Sequence, residues 1–201
     1  KPFDMPAHPS AGNHDNTLAN ALMYYYGSQN KPFVYRCINR LDRDTTGLTI
    51  VAKHALAGGI LGNAVAKRAI HRTYYAVCSG CTPACMRISA PIARKDASTI
   101  ERCVDFKRGE NAVTDFIRIK YNPDNNLSLV KLRLLTGRTH QIRVHMKYIG
   151  FPLIGDFLYN PDYTYISRQA LHSGRLVFTH PVTGQKMNLI SDIPSDMKSL
   201  F

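Results

Sequence analysis

Asp42 and Asp44 are the side chains of this sequence whose type and surroundings first suggest chemistry. They lie in Ile38-Asn39-Arg40-Leu41-Asp42-Arg43-Asp44-Thr45-Thr46-Gly47-Leu48-Thr49-Ile50-Val51, where arginines flank two carboxylates ahead of a Thr-Thr-Gly turn and an apolar run. Nearby positive charge favours the ionised form of a carboxylate. An ionised carboxylate can attack as a nucleophile, but it has no proton to donate. Aspartate before Thr-Thr-Gly is also ordinary turn chemistry, its oxygens accepting from backbone amides two residues on, and Asp44 is read in that way. For Asp42 the turn reading and a functional reading both stand, because an Arg-Leu-Asp-Arg segment has less need of a carboxylate for folding.

The elements that must hold these residues follow from periodicity and punctuation. Residues 1 to 16, rich in Pro, His, Asn and Gly, read as an extended loop. The Leu18, Leu22 and Tyr25 spacing predicts an amphipathic helix over Thr17 to Tyr26, capped by Asn16 and ended by Gly27. Short strands are predicted from Phe33 to Cys37, entering the Asp42 loop, and from Leu48 to Ala52, leaving it. Lys53 to Ile70 reads as a helix, weakened at Gly58, Gly59 and Gly62 by about 1 kcal/mol each relative to Ala. In the strand Thr73 to Val77, alternation puts Tyr74 and Ala76 on one face and Tyr75 and Val77 on the other, so one tyrosine should point away from the core. Residues 79 to 126 suggest antiparallel hairpins, and Leu127 to Leu135 alternates clearly. Thr139 is the predicted N-cap of a helix whose Ile142, Met146 and Ile149 share a face, with Gly150 and Pro152 as its stop. Arg138 and Arg143 would thus be delivered near a helix N-terminus, where anions are favoured. Ser167 to Ile190 reads as two strands joined at His180-Pro181-Val182-Thr183-Gly184, with His172 structural.

Composition narrows the partners. Lys and Arg number 26 against 14 Asp and Glu, a formal charge of +12 that points to a polyanion. From Arg36 to Arg72 seven basic residues stand against two acids, and from Lys131 to Lys147 five against none, so the excess gathers around the two segments already singled out. Five cysteines without a recognisable signal peptide argue for reduced thiols in the cytoplasm. Cys78-x-x-Cys81-x-x-x-Cys85 has thiolate spacing that could bind metal, but Cys78 ends a strand pattern and no fourth ligand lies nearby, so no metal is expected. No apolar run approaches bilayer-spanning length, and no membrane contact is expected.

Asn39-Arg40-Leu41-Asp42-Arg43-Asp44-Thr45-Thr46-Gly47 resembles the signature of the RluA/RsuA-type RNA pseudouridine synthases, of the RluA/RluD-like branch, and the family nucleophile falls on Asp42. Lys1-Pro2-Phe3-Asp4-Met5-Pro6-Ala7-His8-Pro9 resembles the family's opening Lys-Pro motif, and Arg72-Thr73-Tyr74-Tyr75-Ala76 its Tyr-containing strand. Leu135-Thr136-Gly137-Arg138-Thr139-His140-Gln141-Ile142-Arg143-Val144-His145 is similar to its second signature, and Pro152-Leu153-Ile154-Gly155-Asp156, Leu171-His172 and His180-Pro181 continue in order. One departure is Asn39, where many members carry His.

The resemblance implies an α+β fold, a mixed and largely antiparallel sheet flanked by helices with a cleft for RNA, spanning 1–201 as a single catalytic domain. Many relatives carry a small RNA-binding domain upstream, and a chain that opens within a motif is expected to be an excised piece. The implied reaction converts uridine to pseudouridine in structured RNA, ribosomal more than transfer RNA, without a cofactor, in a monomer. Arg143 matches the arginine that favours the ionised nucleophile, and Tyr74 the tyrosine that packs on the target base. Arg40 matches the residue that fills the vacated site once the uridine flips out, a step costing a few kcal/mol. Arg43, Lys53, Arg72, Arg138 and His140 are further expected RNA contacts.

Two other readings use the same residues. An RNA or nucleoside N-glycosidase would employ Asp42 and Asp44 as a pair about 6 to 7 Å apart on one strand face, although a positive field leaves neither as a good general acid. A catalytically silent RNA-binding module would keep the arginines for phosphates and leave Asp42 to a turn.

Overall fold

The computed structural model describes residues 1–10, 12–97 and 100–201. The chain divides into two compact units, Lys1–His71 with Arg175–Ser191, and Arg72–Gly174 with Asp192–Phe201. The architecture is α+β, a mixed sheet flanked by few helices.

In the first unit, helix α1 (Leu18–Gly27) begins at Thr17 rather than at the predicted Asn16. Thr17 Oγ1 accepts from the Asn20 amide at 3.2 Å and the Asn20 side chain accepts from the Thr17 amide at 3.2 Å, a reciprocal capping box. Asn16 lies before it at φ +56°, a left-handed turn that Asn tolerates. The loop carrying Asp42 follows, and it differs from the two predicted strands. Only β1 (Thr46–Gly47) forms there, with an isolated antiparallel bridge between Cys37 and Val51. The cause is Asn39: its side-chain oxygen accepts from the Ile50 amide at 2.8 Å, taking a place that a backbone carbonyl would hold in a ladder.

Helix α2 (Ala55–Ala66) is shorter than predicted, because Arg68 turns left-handed at φ +57°. It buries Ala57 and Leu61 against Ile50, Ala52, Ile70, Leu176 and Phe178, the apolar base on which the Asp42 loop stands.

In the second unit, β2 (His71–Ser79) pairs antiparallel with β7 (Leu127–Leu134), setting Tyr74 opposite Leu132. The hairpin character predicted for residues 79 to 126 is present as β3 (Cys85–Ser89), β4 (Ile92–Arg94), β5 (Arg102–Val104) and β6 (Val113–Asn122), with β6 pairing both β3 and β7 and β4 pairing β5. Neither tyrosine of β2 points away from packing: Tyr74 is buried, and Tyr75 lies against the cluster of Val77, Leu127, Ile154, Ile166, Ala170 and Met197. Both faces of this strand are covered, which alternation alone could not reveal.

Helix α3 (Gln141–Tyr148) starts one residue later than predicted, at His140, a left-handed residue whose side chain makes no cap bond. Gln141 supplies the missing acceptor, its Oε1 taking the Arg138 amide at 2.9 Å and the Thr136 hydroxyl at 2.8 Å. Burial runs from Gln141 through Met146, far more than one face. The chain closes through β8 (Leu171–Thr179), β9 (Lys186–Ile190) and α4 (Ser195–Lys198), with Arg175 to Thr179 pairing antiparallel with β9. His172 is buried, as a structural histidine should be.

His145 is fully buried in α3 between the Thr114 hydroxyl, 2.9 Å from Nδ1, and the Ala90 carbonyl, 2.9 Å from Nε2. A carbonyl can only accept, so Nε2 carries a hydrogen. Burial holds its pKa below the ordinary 6.5, with the Ala90 bond a smaller opposing effect. The unfolded chain therefore takes up this proton at a higher pH than the folded one, and stability falls as pH drops below 6.5. Urea titrations at stepped pH should show this loss, with a slope of up to about 1.4 kcal/mol per pH unit, and His145→Gln should flatten it.

Candidate active site

The first unit presents Arg40, Asp42 and Arg43 on one loop. Its base is closed by Ile38 N–H to Ile50 O and Ala52 N–H to Arg36 O, both 2.9 Å, and the Thr49 hydroxyl donates to Asn39 O at 2.6 Å. At its tip the Thr45 amide donates to Asp42 O at 3.1 Å, so residues 42 to 45 form a turn and the two carboxylates do not share a strand face. The Lys1 ammonium holds the tip from outside, Nζ donating to Pro2 O and Met5 O at 2.7 Å and to Arg43 O at 2.6 Å. Gly47 N–H donates to Lys1 O at 3.0 Å. The opening Lys-Pro motif is thus a strut for the loop.

The environment separates the two aspartates. Asp44 is buried, and its oxygens accept from Arg43 Nε at 3.1 and 3.3 Å and Nη2 at 3.2 Å. Asp42 is half-buried. Arg43 is therefore partly committed to Asp44 and, at 3.8 Å, to Asp4. Arg40 is exposed. Its charge and partial burial lower the pKa of His8, burial contributing more, so that ring is neutral near pH 7. Lys53 stands over the Tyr26 ring, 5.8 Å from its centre.

In the second unit Arg138, His140 and Arg143 lie just before or within α3, Arg72 lies against Gly137, and Tyr74 is buried in β2. Arg143 is not the surface cation that its place in a basic run suggests: its side chain is 2% exposed and Asp156 is 0% exposed. Arg143 Nε reaches Asp156 Oδ2 and Nη2 reaches Oδ1, both at 2.7 Å, a two-pronged ion pair. Asp156 Oδ1 also accepts from the Leu158 and Tyr159 amides at 3.1 and 3.2 Å. The guanidinium lies 5.0 Å from the Tyr159 ring centre and 5.5 Å from that of Phe157. Gly155 permits the turn that aims Asp156, with φ at +67° and the Arg168 carbonyl where any Cβ would stand, 2.1 Å away.

Tyr159 extends the arrangement. Its hydroxyl accepts from Arg102 N–H at 2.9 Å and lies 2.9 Å from His140 Nδ1. Burial pushes its pKa up to about 12. The phenol is therefore protonated at neutral pH and shares a hydrogen bond with His140 Nδ1.

Arg138 binds the Asn111 carbonyl through Nε at 3.1 Å and pairs with Glu110. Arg72 lies against Gly137, where a Cβ would stand 3.2 Å from its Nη2, and its Nε is buried without a hydrogen-bond partner. Asp156 and Tyr159 carry no role in the sequence reading, although Gly155-Asp156 is part of a quoted motif. The three cysteines with metal-like spacing differ in setting: Cys78 is buried, which pushes its thiol pKa up, while Cys81 and Cys85 are exposed. Among the described residues no helix is long and apolar enough to cross a membrane.

The fold and these motifs are those of a uridine-modifying enzyme family. Human RNA pseudouridylate synthase domain containing 1 superposes with a TM-score of 0.78 at 25% identity, over 96% of this chain and 77% of its own. Human RNA pseudouridylate synthase domain containing 4 shares the fold at a TM-score of 0.75 and 20% identity, over 98% of this chain and 85% of its own. Residues 1–148 match the family profile described as RNA pseudouridylate synthase. The chain is 39% identical over its whole length to the uncharacterized RNA pseudouridine synthase YhcT of Bacillus subtilis, covering 66% of that protein. It is 38% identical to ribosomal large subunit pseudouridine synthase D of Zymomonas mobilis, covering all of this chain and 67% of that protein. The chain belongs to the RNA pseudouridine synthase family. It spans about two thirds of the length of these curated relatives.

Removing one partner of a buried ion pair strands the other, at about 3 to 5 kcal/mol. Asp156→Ala should lower the unfolding free energy by about that much in urea titrations. Adding Arg143→Met should restore part of the loss, the signature of direct coupling between the two.

Proposed function

We propose that this chain isomerises uridine to pseudouridine in structured RNA, ribosomal RNA foremost, acting as a monomer in the cytoplasm. The observation that carries the assignment of Asp42 is the separation of the two carboxylates. Asp44 is sealed by the Arg43 guanidinium and serves the loop, whereas Asp42 is held at the tip of a turn braced from both sides. That disfavours a paired acid and base, the requirement of the N-glycosidase reading. The family profile and the identity over the whole of this chain support the isomerase over a silent binding module.

In the reaction the bond from C1′ to ring nitrogen 1 breaks, the base turns, and C1′ bonds to ring carbon 5. Carbon 5 loses a proton and nitrogen 1 gains one, so the product is an isomer and no electrons are exchanged. The Asp42 carboxylate acts on the nucleotide as nucleophile or base. Tyr74 packing on the base and Arg143 favouring an ionised carboxylate rest on the motif match. Arg40, exposed on the same loop as Asp42, is suited to the space left by a flipped nucleotide. Arg43, Lys53, Arg72, Arg138 and His140 complete the assigned RNA contacts, and ribosomal RNA is favoured by the relative named for the large subunit.

Asp42→Asn should abolish pseudouridine formation in a ribosomal RNA transcript while RNA binding persists, and Arg143→Ala should weaken both. Carbodiimide-based mapping of the modified nucleotide reads the first effect and filter retention the second. Full activity in purified Asp42→Asn would overturn the assignment; release of free uracil would point to the glycosidase.

A further inference from the structure

Beside α3 the second unit has a cavity of about 480 Å³ whose lining includes Arg94, Arg102, Arg108, Arg138, Glu110 and Gly137. Two of the four guanidiniums are matched within the fold. Arg108 Nε reaches Asp105 at 2.7 Å, and Arg138 pairs with Glu110. The other two are not: among the described residues neither Arg94 nor Arg102 has a carboxylate partner, and Arg94 Nη1 meets only the Ala97 carbonyl, at 3.3 Å. They are also direct neighbours in the β4–β5 register, Arg94 opposite Arg102. Like charges directly opposite across a strand pair are destabilising. Arg102 Nη1 adds a second cost, being buried with no hydrogen-bond partner.

An anion in the cavity would relieve the repulsion between the two guanidiniums. The lining contains no aromatic ring on which a base could stack, and the residues that could bond a ligand are mainly arginines. Such a wall holds phosphate and positions a strand without reading its sequence. We propose that this cavity is a phosphodiester-binding subsite for the RNA strand, outside the uridine that reacts, with Arg94 and Arg102 as its principal contacts. The identity of the polymer rests on the pseudouridine synthase reading above; the anion chemistry does not.

The test compares wild type with Arg94→Gln, Arg102→Gln and the double variant, using Lys186→Gln as a charge-matched control on exposed β9. Binding to a large-subunit ribosomal RNA transcript is measured across a salt series, and pseudouridine formation at saturating RNA. One lost phosphate contact should reduce the slope of log affinity against log salt by about 0.7 and weaken binding several-fold at low salt. Because both arginines share one phosphate, the double variant should lose little more slope than either single one, and turnover at saturating RNA should persist. Inorganic phosphate at matched ionic strength should compete with RNA for wild type more strongly than for the double variant.

Unchanged affinity and slope in the double variant would overturn the subsite, as would an equal loss in Lys186→Gln. Loss of phosphate competition with RNA affinity intact would mean that the cavity takes a free anion, and would overturn the strand assignment. The readouts separate this subsite from the parent reading: wild type that binds RNA with the expected slope and forms no pseudouridine defeats the isomerase reading alone. Arg94 is exposed, so its variant remains informative if Arg102→Gln folds poorly.

Discussion

The ion pair between Arg143 and Asp156 is the constraint on which the second unit's chemistry-bearing residues depend. Taking two charges out of water costs several kcal/mol for each, and their attraction offsets this only with good geometry and satisfied lone pairs. Both conditions hold, since two N–H groups of Arg143 and two backbone amides converge on one carboxylate. The pair links α3 to the turn that carries Tyr159. Tyr159 in turn is hydrogen-bonded to His140, the N-cap of α3. A short chain of contacts therefore joins the helix, its N-cap and the ring beside the guanidinium.

A similar division of labour operates in the first unit, on a smaller scale. Two aspartates two positions apart receive different surroundings from one loop: the buried one takes the adjacent arginine, and the other occupies the braced tip. Identical side chains acquire distinct duties because packing, not residue type, sets which is enclosed. The net charge of +12 obscures this local pairing. Arg43, Arg108, Arg138 and Arg143 all have carboxylate partners, so the cations left for a polyanion are fewer than composition suggests.

Much of the secondary structure could be read from the sequence where one physical signal dominated. Alternation marked β7 and the Tyr74 strand, Gly150 marked the end of α3, and turn residues marked the β8–β9 connection. Misplacements arose where a side chain stood in for backbone. Asn39 occupies a ladder position, which prevents a full strand beyond Ile50, and Gln141 reaches back to serve the turn that Thr139 was predicted to cap. The Asp42 segment was recognisable because its charges are adjacent in sequence. The partnership of Arg143 with Asp156 was not, because thirteen positions separate residues that meet only after α3 and the following turn are folded. A carboxylate after glycine in a loop looks like solvent-facing turn chemistry until burial is known.

Lys1 gives the Asp42 loop a dependence that its own residues do not disclose. One ammonium links three carbonyls, two in the opening segment and one at Arg43, so part of the loop's rigidity is borrowed from residues some forty positions earlier. Order at Asp42 is then a non-local property, with an entropic cost of closing the intervening chain. Acetylating that lysine, or trimming the first few residues, would leave every side chain of the loop in place yet allow it to sample many shapes.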